Sequence, residues 1–145
     1  RMGLHDSFNG QGTTVTLGEI RIFAPVWDDF VEIDCVIDTG ADVCAVPTHL
    51  AALLGILASE GRIHMWQVRD PLTLVEANIR LEWEGTAHEV DSVLLDIPVE
   101  FRRPAHRSEH CTRPDDPHLL SDRIVVGENF LCLLDRESRR RLLEP

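Results

Sequence analysis

The amino-acid sequence predicts a mostly β fold, and three observations support that prediction. Short runs of alternating or β-branched apolar residues recur along the 145-residue chain. Clusters of Pro, Gly and Asp separate these runs, as turns separate strands. Helical patterning is confined to residues 48–55 and, as one of two options, to the last residues. The length fits one domain of ordinary size, which we expect to span residues 1–145.

The strands are predicted where apolar residues alternate or run together, namely at residues 13–23, 30–37, 43–47, 62–68, 72–83 and 88–97. Residues 62–68 and 72–83 flank a turn that contains Pro71, so they predict a long hairpin. Between these regions, residues 48–55 predict a two-turn helix with Thr48 as its N-cap and Gly55 as its C-terminal stop.

The C-terminal part changes character twice. Residues 98–122 contain four of the eight prolines and predict a long surface loop or insertion. Residues 123–134 return to a core-like pattern. The remaining tail predicts either the end of a helix or a turn followed by a last edge strand. On such a strand, Arg139, Arg140 and Arg141 would form a basic patch or, more simply, a row of solvated charges.

Charge and cysteine content restrict the function. The formal net charge is −11 and the pI is near 4.9, which argues against nucleic acid or an anionic membrane as partner. No apolar run is long enough to span a membrane, and no signal-peptide pattern opens the sequence. Three of the four cysteines (Cys35, Cys44 and Cys132) lie in apolar runs, which predicts buried, reduced thiols and a cytoplasmic location.

The most informative segment is the turn after the second predicted strand. Asp38, Thr39 and Gly40 end the apolar run at 30–37 and precede another apolar run at 43–47. A turn between two exposed strand ends usually faces water, with its Asp accepting a local Asx-type hydrogen bond. The apolar residues on both sides instead indicate that this turn is buried.

Residues 38–41 (Asp-Thr-Gly-Ala), together with residues 125–131 (VVGENFL), resemble the retropepsin-like aspartic proteases. The resemblance covers most of residues 13–143 and is closer to cellular or bacterial single-lobe members than to viral ones. It implies a closed β-barrel with a flap hairpin at 62–83, one or two short helices, and a two-fold homodimer. The helix at 48–55 and the acidic Glu128 after Gly127 are the features that set the chain apart from viral members.

The chemistry of this family explains the residue types in the turn. Two neighbouring carboxyl groups share one proton, because both cannot ionise at short distance. The ionised group takes a proton from water while the protonated group donates to the scissile carbonyl. Gly40 permits close approach of the backbone, and Thr39 can hydrogen-bond the opposing turn. Since the sequence contains one such triplet, the second carboxyl group must be Asp38 of another subunit.

The resemblance assigns a catalytic role to Asp38, Thr39 and Gly40. It further implies a set of substrate-binding residues on the turn and the flap, namely Ala41, Asp42, Val43, Met65, Trp66, Gln67 and Leu72. Trp66 could equally be a partly buried aromatic residue of a strand. In viral members an Arg follows the late Gly and pairs with the acid at the position of Asp42. Here the residue after Gly127 is Glu128 and not Arg, so this ion pair cannot form.

The predicted function is that of an aspartic endopeptidase that acts on polypeptides as a homodimer, with no cofactor and no metal. The alternative is a retropepsin-like dimerisation or binding module with little or no protease activity. A third hypothesis, a zinc-dependent domain, would use His106, His110, Cys111 and His118. Their spacing matches no structural zinc pattern, so a polar loop is the favoured interpretation of this segment.

Overall fold

The computed structural model describes residues 12–60, 63–65, 73–102 and 122–144, and the fold is mostly β. The strands of this part are β1 (Val15–Ala24), β2 (Asp29–Asp38), β3 (Cys44–Pro47), β4 (Ile63–Met65), β5 (Thr73–Trp83), β6 (Thr86–Leu95) and β7 (Ile124–Val126). Its α-helices are α1 (Thr48–Leu54), α2 (Glu128–Leu131) and α3 (Arg136–Leu143), with one 3-10 turn at Val99–Phe101.

Six of these strands close into a barrel in the order β1-β2-β7-β3-β6-β5, because β5 returns to pair with β1 at Ile22 and Leu81. The hairpins β1–β2 and β5–β6 are antiparallel. β7 runs parallel to β2 and antiparallel to β3. The predicted mostly β, closed-barrel fold is therefore confirmed. Because β7 lies between two strands that are consecutive in sequence, it brings residues 124–127 beside the turn that joins them.

The main core fills the barrel interior. Alternate strand residues point inward, as the period of two requires, so that Ile20 and Ile22 of β1 are buried while Arg21 between them is exposed. Phe130 of α2 and Leu142 of α3 complete this core from the C-terminal side. The largest fully buried side chains are Phe130, Ile20, Ile22, Ile37, Leu54, Leu81, Ile124 and Leu131.

Helix α1 confirms one predicted boundary and corrects another. Gly55 ends the helix in the left-handed region (φ 82°), and a Cβ there would lie 2.8 Å from the backbone nitrogen of Val26. The prediction that Thr48 is the N-cap is wrong. Pro47 occupies the N-cap position with extended backbone angles and without a side-chain hydrogen bond, because Thr48 itself already begins the helix.

The C-terminal tail is helix α3, so the alternative of a last edge strand is wrong. Asp135 is the N-cap of this helix, and its carboxylate accepts the backbone N–H of Ser138 at 2.7 Å. The carbonyl of Ser138 accepts the indole N–H of Trp83 at 3.1 Å. Arg141 donates to both carboxylate oxygens of Glu84 at 2.7 and 2.6 Å. The helix is therefore bound to the β5–β6 turn.

The basic run at residues 139–141 is not an open patch. Arg139 pairs with Glu128, Arg140 with Glu137, and Arg141 with Glu84. These arginines lie on a helix and not on an edge strand, and each is used in an ion pair of this chain.

The predicted hairpin exists as a pair of antiparallel strands. β4 pairs with β5 in the register Ile63–Val75 and Met65–Thr73. The tip at 66–72 lies outside the described residues. So do residues 103–121, which make up most of the predicted loop and include His106, His110, Cys111 and His118.

Cys35 and Cys44 are buried and free, as predicted. Cys132 is free but exposed, which corrects the prediction of a buried thiol. Phe130 and Leu131 form the buried face of α2, and Cys132, its C-cap residue, follows them on the exposed side.

In the described part of the chain, no helix is long and apolar enough to cross a bilayer. The same residues contain no group of three or more His, Cys, Asp or Glu side chains placed to bind a metal ion.

Candidate active site

Asp38 is the last residue of β2 and is almost entirely buried, with 6% of its surface exposed. Its carboxylate oxygen Oδ1 accepts the backbone N–H of Gly40 at 2.8 Å, and its carbonyl accepts that of Ala41 at 3.2 Å. The local Asx-type hydrogen bond expected of an ordinary turn is therefore present. Burial distinguishes this turn from an ordinary one, because a carboxylate seldom leaves water without a partner or a purpose.

By the alternation of strand residues, Asp38 belongs to the face of β2 that points away from the main core. Val36 precedes it by two residues and shares this face, whereas Cys35 and Ile37 point into the main core. Paired residues on adjacent strands share a face of the sheet. The face that carries Val36 therefore also carries Val125 of β7 and Ala45 of β3. These residues belong to a second apolar cluster, whose buried members are Ala41, Ala45, Val93 and Val125.

The floor of the candidate site is thus apolar over four strands, with the buried carboxylate at one end. It becomes exposed on the β1 side. Val15 lies opposite Asp38 and Leu17 opposite Val36, and these two side chains are 56% and 61% exposed. The apolar floor thus continues to an exposed edge, Val15 and Leu17, directly beside the buried carboxylate.

Thr39 is bound within its own chain. Its backbone N–H donates to the carbonyl of Thr14 at 2.9 Å, and its hydroxyl oxygen accepts the N–H of Thr14 at 2.7 Å. Among the described residues, the acceptors of the hydroxyl proton are the carbonyls of Gly12 and Thr14, each at 3.4 Å. The turn is therefore fixed to the segment that precedes β1.

The corner between β7 and α2 supports the other end of the turn. The N–H of Glu128 donates to the carbonyl of Ala41 at 2.7 Å, and the N–H of Asn129 donates to that of Asp42 at 3.1 Å. Gly127 is required here by close approach, since a Cβ would lie 2.6 Å from the carbonyl oxygen of Val43. The backbone of residues 38–43 is thus hydrogen-bonded both to the segment before β1 and to the start of α2.

Asn129 and Cys44 complete this support. The side-chain oxygen of Asn129 accepts the N–H and the thiol of Cys44 at 3.0 and 3.2 Å, while its amide donates to the carbonyl of Asp91 at 2.7 Å. The sulfur of Cys44 accepts the N–H of Gly127 at 3.3 Å. Burial raises the pKa of the Cys44 thiol to about 12, so the group stays neutral and can donate.

Glu128 takes part in an ion pair that the sequence did not predict. Its two carboxylate oxygens accept from the two terminal nitrogens of Arg139 at 2.5 and 2.8 Å. The viral-type ion pair at Asp42 was predicted to be absent, and the acid after Gly127 indeed has another partner. The hydrogen bonds from Arg139 to Glu128 raise the pKa of the Arg139 guanidinium above its ordinary value.

The structure brings together the predicted residues of the turn but leaves those of the flap undetermined. Ala41 is buried, Val43 is partly buried and Asp42 is exposed, all beside Asp38. For Met65 the description covers the backbone alone. The remaining predicted flap residues, Trp66, Gln67 and Leu72, lie outside the described residues.

Sequence reasoning named Cys44, Asn129 and Arg139 but missed their supporting roles. A polar Asn two residues after Gly127, at the start of the apolar run FLCLL, was a usable signal for Asn129. For Cys44 and Arg139 the sequence carries none, because their roles depend on partners 83 to 85 and 11 residues away along the chain.

No protein-family model matches this chain, and no curated protein matches it either. Among solved structures, it is similar to the EIAV protease in complex with the inhibitor HBY-793, at 15% identity and a TM-score of 0.43, over 88% of this chain and 92% of that one. It is also similar to a retropepsin-like aspartic protease from Rickettsia conorii, at 15% identity and a TM-score of 0.44, over 85% of each chain. The second structure is named for the family that the sequence resembles.

Proposed function

We propose that this protein is an aspartic endopeptidase whose active site forms when two copies bring their Asp38 residues together. The observation that carries the proposal is the buried Asp38 carboxylate at the edge of an apolar floor. A single carboxylate can act as base or as acid, but peptide hydrolysis by this chemistry needs both at once. A second subunit supplies the missing group.

The surroundings of Asp38 suit such an assembly. The exposed apolar residues Val15 and Leu17 lie beside it, so a second copy that covers them also approaches the carboxylate. Among the described residues the acceptors of the Thr39 hydroxyl lie at 3.4 Å, so a closer acceptor on the partner's turn could take its proton instead. The apolar floor would then contact the side chains of an extended polypeptide.

The hairpin of β4 and β5 is the proposed flap. Its tip, with Met65, Trp66, Gln67 and Leu72, would close over an extended substrate and exclude water from the dyad. Ala41, Asp42 and Val43 would contact the substrate from below. Neither a cofactor nor a metal takes part in this mechanism.

Activity should be highest at mildly acidic pH. When two carboxyl groups lie close together, the higher of their two pKa values rises. As the pH rises through that value, the dyad loses its shared proton and with it the general acid, so the rate falls. Subunit repulsion acts in the same direction, because each subunit carries −11 at neutral pH and approaches neutrality near pH 4.9.

The test uses wild-type protein, the Asp38→Asn variant and mixtures of the two, with an unfolded polypeptide as substrate at pH 4–6. Asp38→Asn should lower kcat by about 1,000-fold or more, and Asp28→Asn, in the distant β1–β2 turn, should leave it unchanged. If each site needs two Asp38 residues, an equal mixture that exchanges subunits retains about one quarter of the activity and not about one half. Proportional loss in the mixture contradicts the shared site, and cleavage that survives Asp38→Asn contradicts the dyad.

A dimer that forms but cleaves nothing, with or without Asp38, would favour the alternative function as a dimerisation or binding module.

A further inference from the structure

The C-terminal helix α3 is connected to the Asp38 turn through a short chain of contacts. Arg139 of α3 binds the Glu128 carboxylate with both terminal nitrogens. The backbone N–H of the same Glu128 donates to the carbonyl of Ala41 at 2.7 Å. Ala41 in turn donates its N–H to the carbonyl of Asp38 at 3.2 Å.

We propose that Arg139 is a positioning residue for Asp38, and that it acts by fixing Glu128 so that the first two amides of α2 remain bonded to the turn. This inference rests on the proposed function, because it assigns Asp38 the catalytic role. It adds that α3, which lies outside the site, contributes to the geometry of the site.

The form of the Glu128–Arg139 pair supports a positioning role. Two parallel hydrogen bonds fix the direction of the carboxylate as well as its distance, which a single contact would not do. The side chains are 34% and 33% exposed, so the pair is partly shielded from water. Glu128 immediately follows Gly127, where the backbone has no room to move toward Val43. Because the N–H of Glu128 donates to the carbonyl of Ala41, a displacement of Glu128 is transmitted to that carbonyl.

Helix α3 remains bound to the barrel without this pair. Arg141 binds Glu84, the indole of Trp83 binds the carbonyl of Ser138, and Leu142 is buried in the main core. Loss of the Arg139 side chain should therefore leave the helix in place. Loss of folding and loss of positioning can for this reason be separated by experiment.

Arg140 provides a matched control. It lies on the same helix, has the same side chain and also forms an ion pair, but its partner is Glu137 of the same helix. Arg140→Ala should remove a comparable surface charge without touching the turn. Arg139→Lys retains the charge but not the two-pronged geometry, and should recover only part of the lost function.

The experiment measures hydrogen exchange of the Glu128 and Asn129 amides by NMR, together with kcat and KM, in wild type, Arg139→Ala, Arg139→Lys and Arg140→Ala. We expect Arg139→Ala to raise both exchange rates and to lower kcat about tenfold, with KM changed by less than about twofold. Arg140→Ala should change none of these. The reversed pair, Glu128→Arg with Arg139→Glu, should restore part of kcat.

Three outcomes would overturn the inference: unchanged exchange in Arg139→Ala, faster exchange with unchanged kcat, or an equal loss of kcat in Arg140→Ala. If wild-type protein cleaves no polypeptide, the proposed function fails separately. The exchange rates and the pKa of the Asp38 carboxyl group, followed by NMR, then decide the inference. A change of that pKa between wild type and Arg139→Ala supports it, and an unchanged pKa overturns it.

Discussion

The Asp38 turn and helix α3 are held to the same barrel by different kinds of interaction. Main-chain hydrogen bonds dominate at the turn, where Glu128 and Asn129 donate to the carbonyls of Ala41 and Asp42. Side-chain ion pairs dominate at α3, where arginines bind Glu84, Glu128 and Glu137. Main-chain bonds in a buried corner are costly to break, whereas exposed ion pairs contribute little and are screened by salt.

This difference indicates which region tolerates a change of structure. The turn tolerates almost no change of backbone position, because Gly127 already lies against Val43. Helix α3 contributes one buried residue, Leu142, and the partly buried Leu143 to the main core, so its loosening exposes only this edge of the core. We therefore expect mutations near the turn to affect global stability and mutations on α3 to affect local order.

The largest effect should come from Gly127→Ala. The added methyl group would meet the carbonyl oxygen of Val43 at 2.6 Å and that of Ala41 at 2.8 Å, so the backbone must shift. We expect the free energy of unfolding to fall by about 2–3 kcal/mol, as for an overpacked core, measured by urea unfolding. Gly18→Ala is the control, because its Cβ would approach only the flexible side chain of Ile37, at 3.4 Å. Equal losses in the two variants would contradict this account.

The two buried cysteines allow a finer test of the turn. Cys44→Ala removes the sulfur that accepts the N–H of Gly127 and leaves that donor without its acceptor in a buried corner. Cys35→Ala removes an equally buried thiol whose contact is a weak one with the carbonyl of Gly18 at 3.5 Å. We expect Cys44→Ala to be less stable than Cys35→Ala by about 1 kcal/mol. Cys44→Ser should regain part of the difference, and a Cys35→Ala loss as large as that of Cys44→Ala would show that cavity formation alone matters.

The sequence predicted the barrel better than it predicted the contacts between its ends. Strands β1, β2 and β3 were placed within two residues, because alternation and turn residues are local signals. The tail remained ambiguous although Asp135 is an N-cap three residues before Ser138. A short run of Arg and Leu fits helix and strand alike, and docking against Trp83 and Glu84 decides between them.

The candidate site shows the same contrast between local signals and distant contacts. Asp38, Thr39 and Gly40 form a contiguous motif and could be read from the sequence. The partner of Glu128 could not, because three consecutive arginines are equivalent in sequence and only the packing of α3 in the folded chain selects Arg139.

On the α3 side, Trp83→Phe should have a modest effect. It removes the indole N–H that donates to the carbonyl of Ser138 at 3.1 Å while it keeps an aromatic ring beside the core. We expect a loss of about 1 kcal/mol in the free energy of unfolding and faster amide exchange within α3. Trp27→Phe, in the exposed β1–β2 turn, should change neither quantity. A loss of kcat larger than the loss of stability explains would mean that Trp83 affects the turn as well.

The smallest effect should be a loosening of α3 in acid. Hydrogen bonds from Arg141 lower the pKa of Glu84, and hydrogen bonds from Arg140 lower that of Glu137, both from an ordinary value of 4.5. A carboxyl group with a lowered pKa in the folded state contributes stability above its unfolded value, and that contribution is lost as the pH falls through the folded value. The helix should therefore stay attached at pH 5, where the proposed activity is high, and loosen progressively below 4.5.

Amide exchange or NMR shifts of α3 between pH 6 and pH 3 would measure this loosening, and high salt should weaken the attachment at pH 6. Glu84→Gln should remove the part of the pH dependence that Glu84 contributes, and Glu137 and the N-cap Asp135, whose pKa values are also lowered, should account for the rest. A helix that loosens equally in Glu84→Gln would assign the whole effect to those other groups.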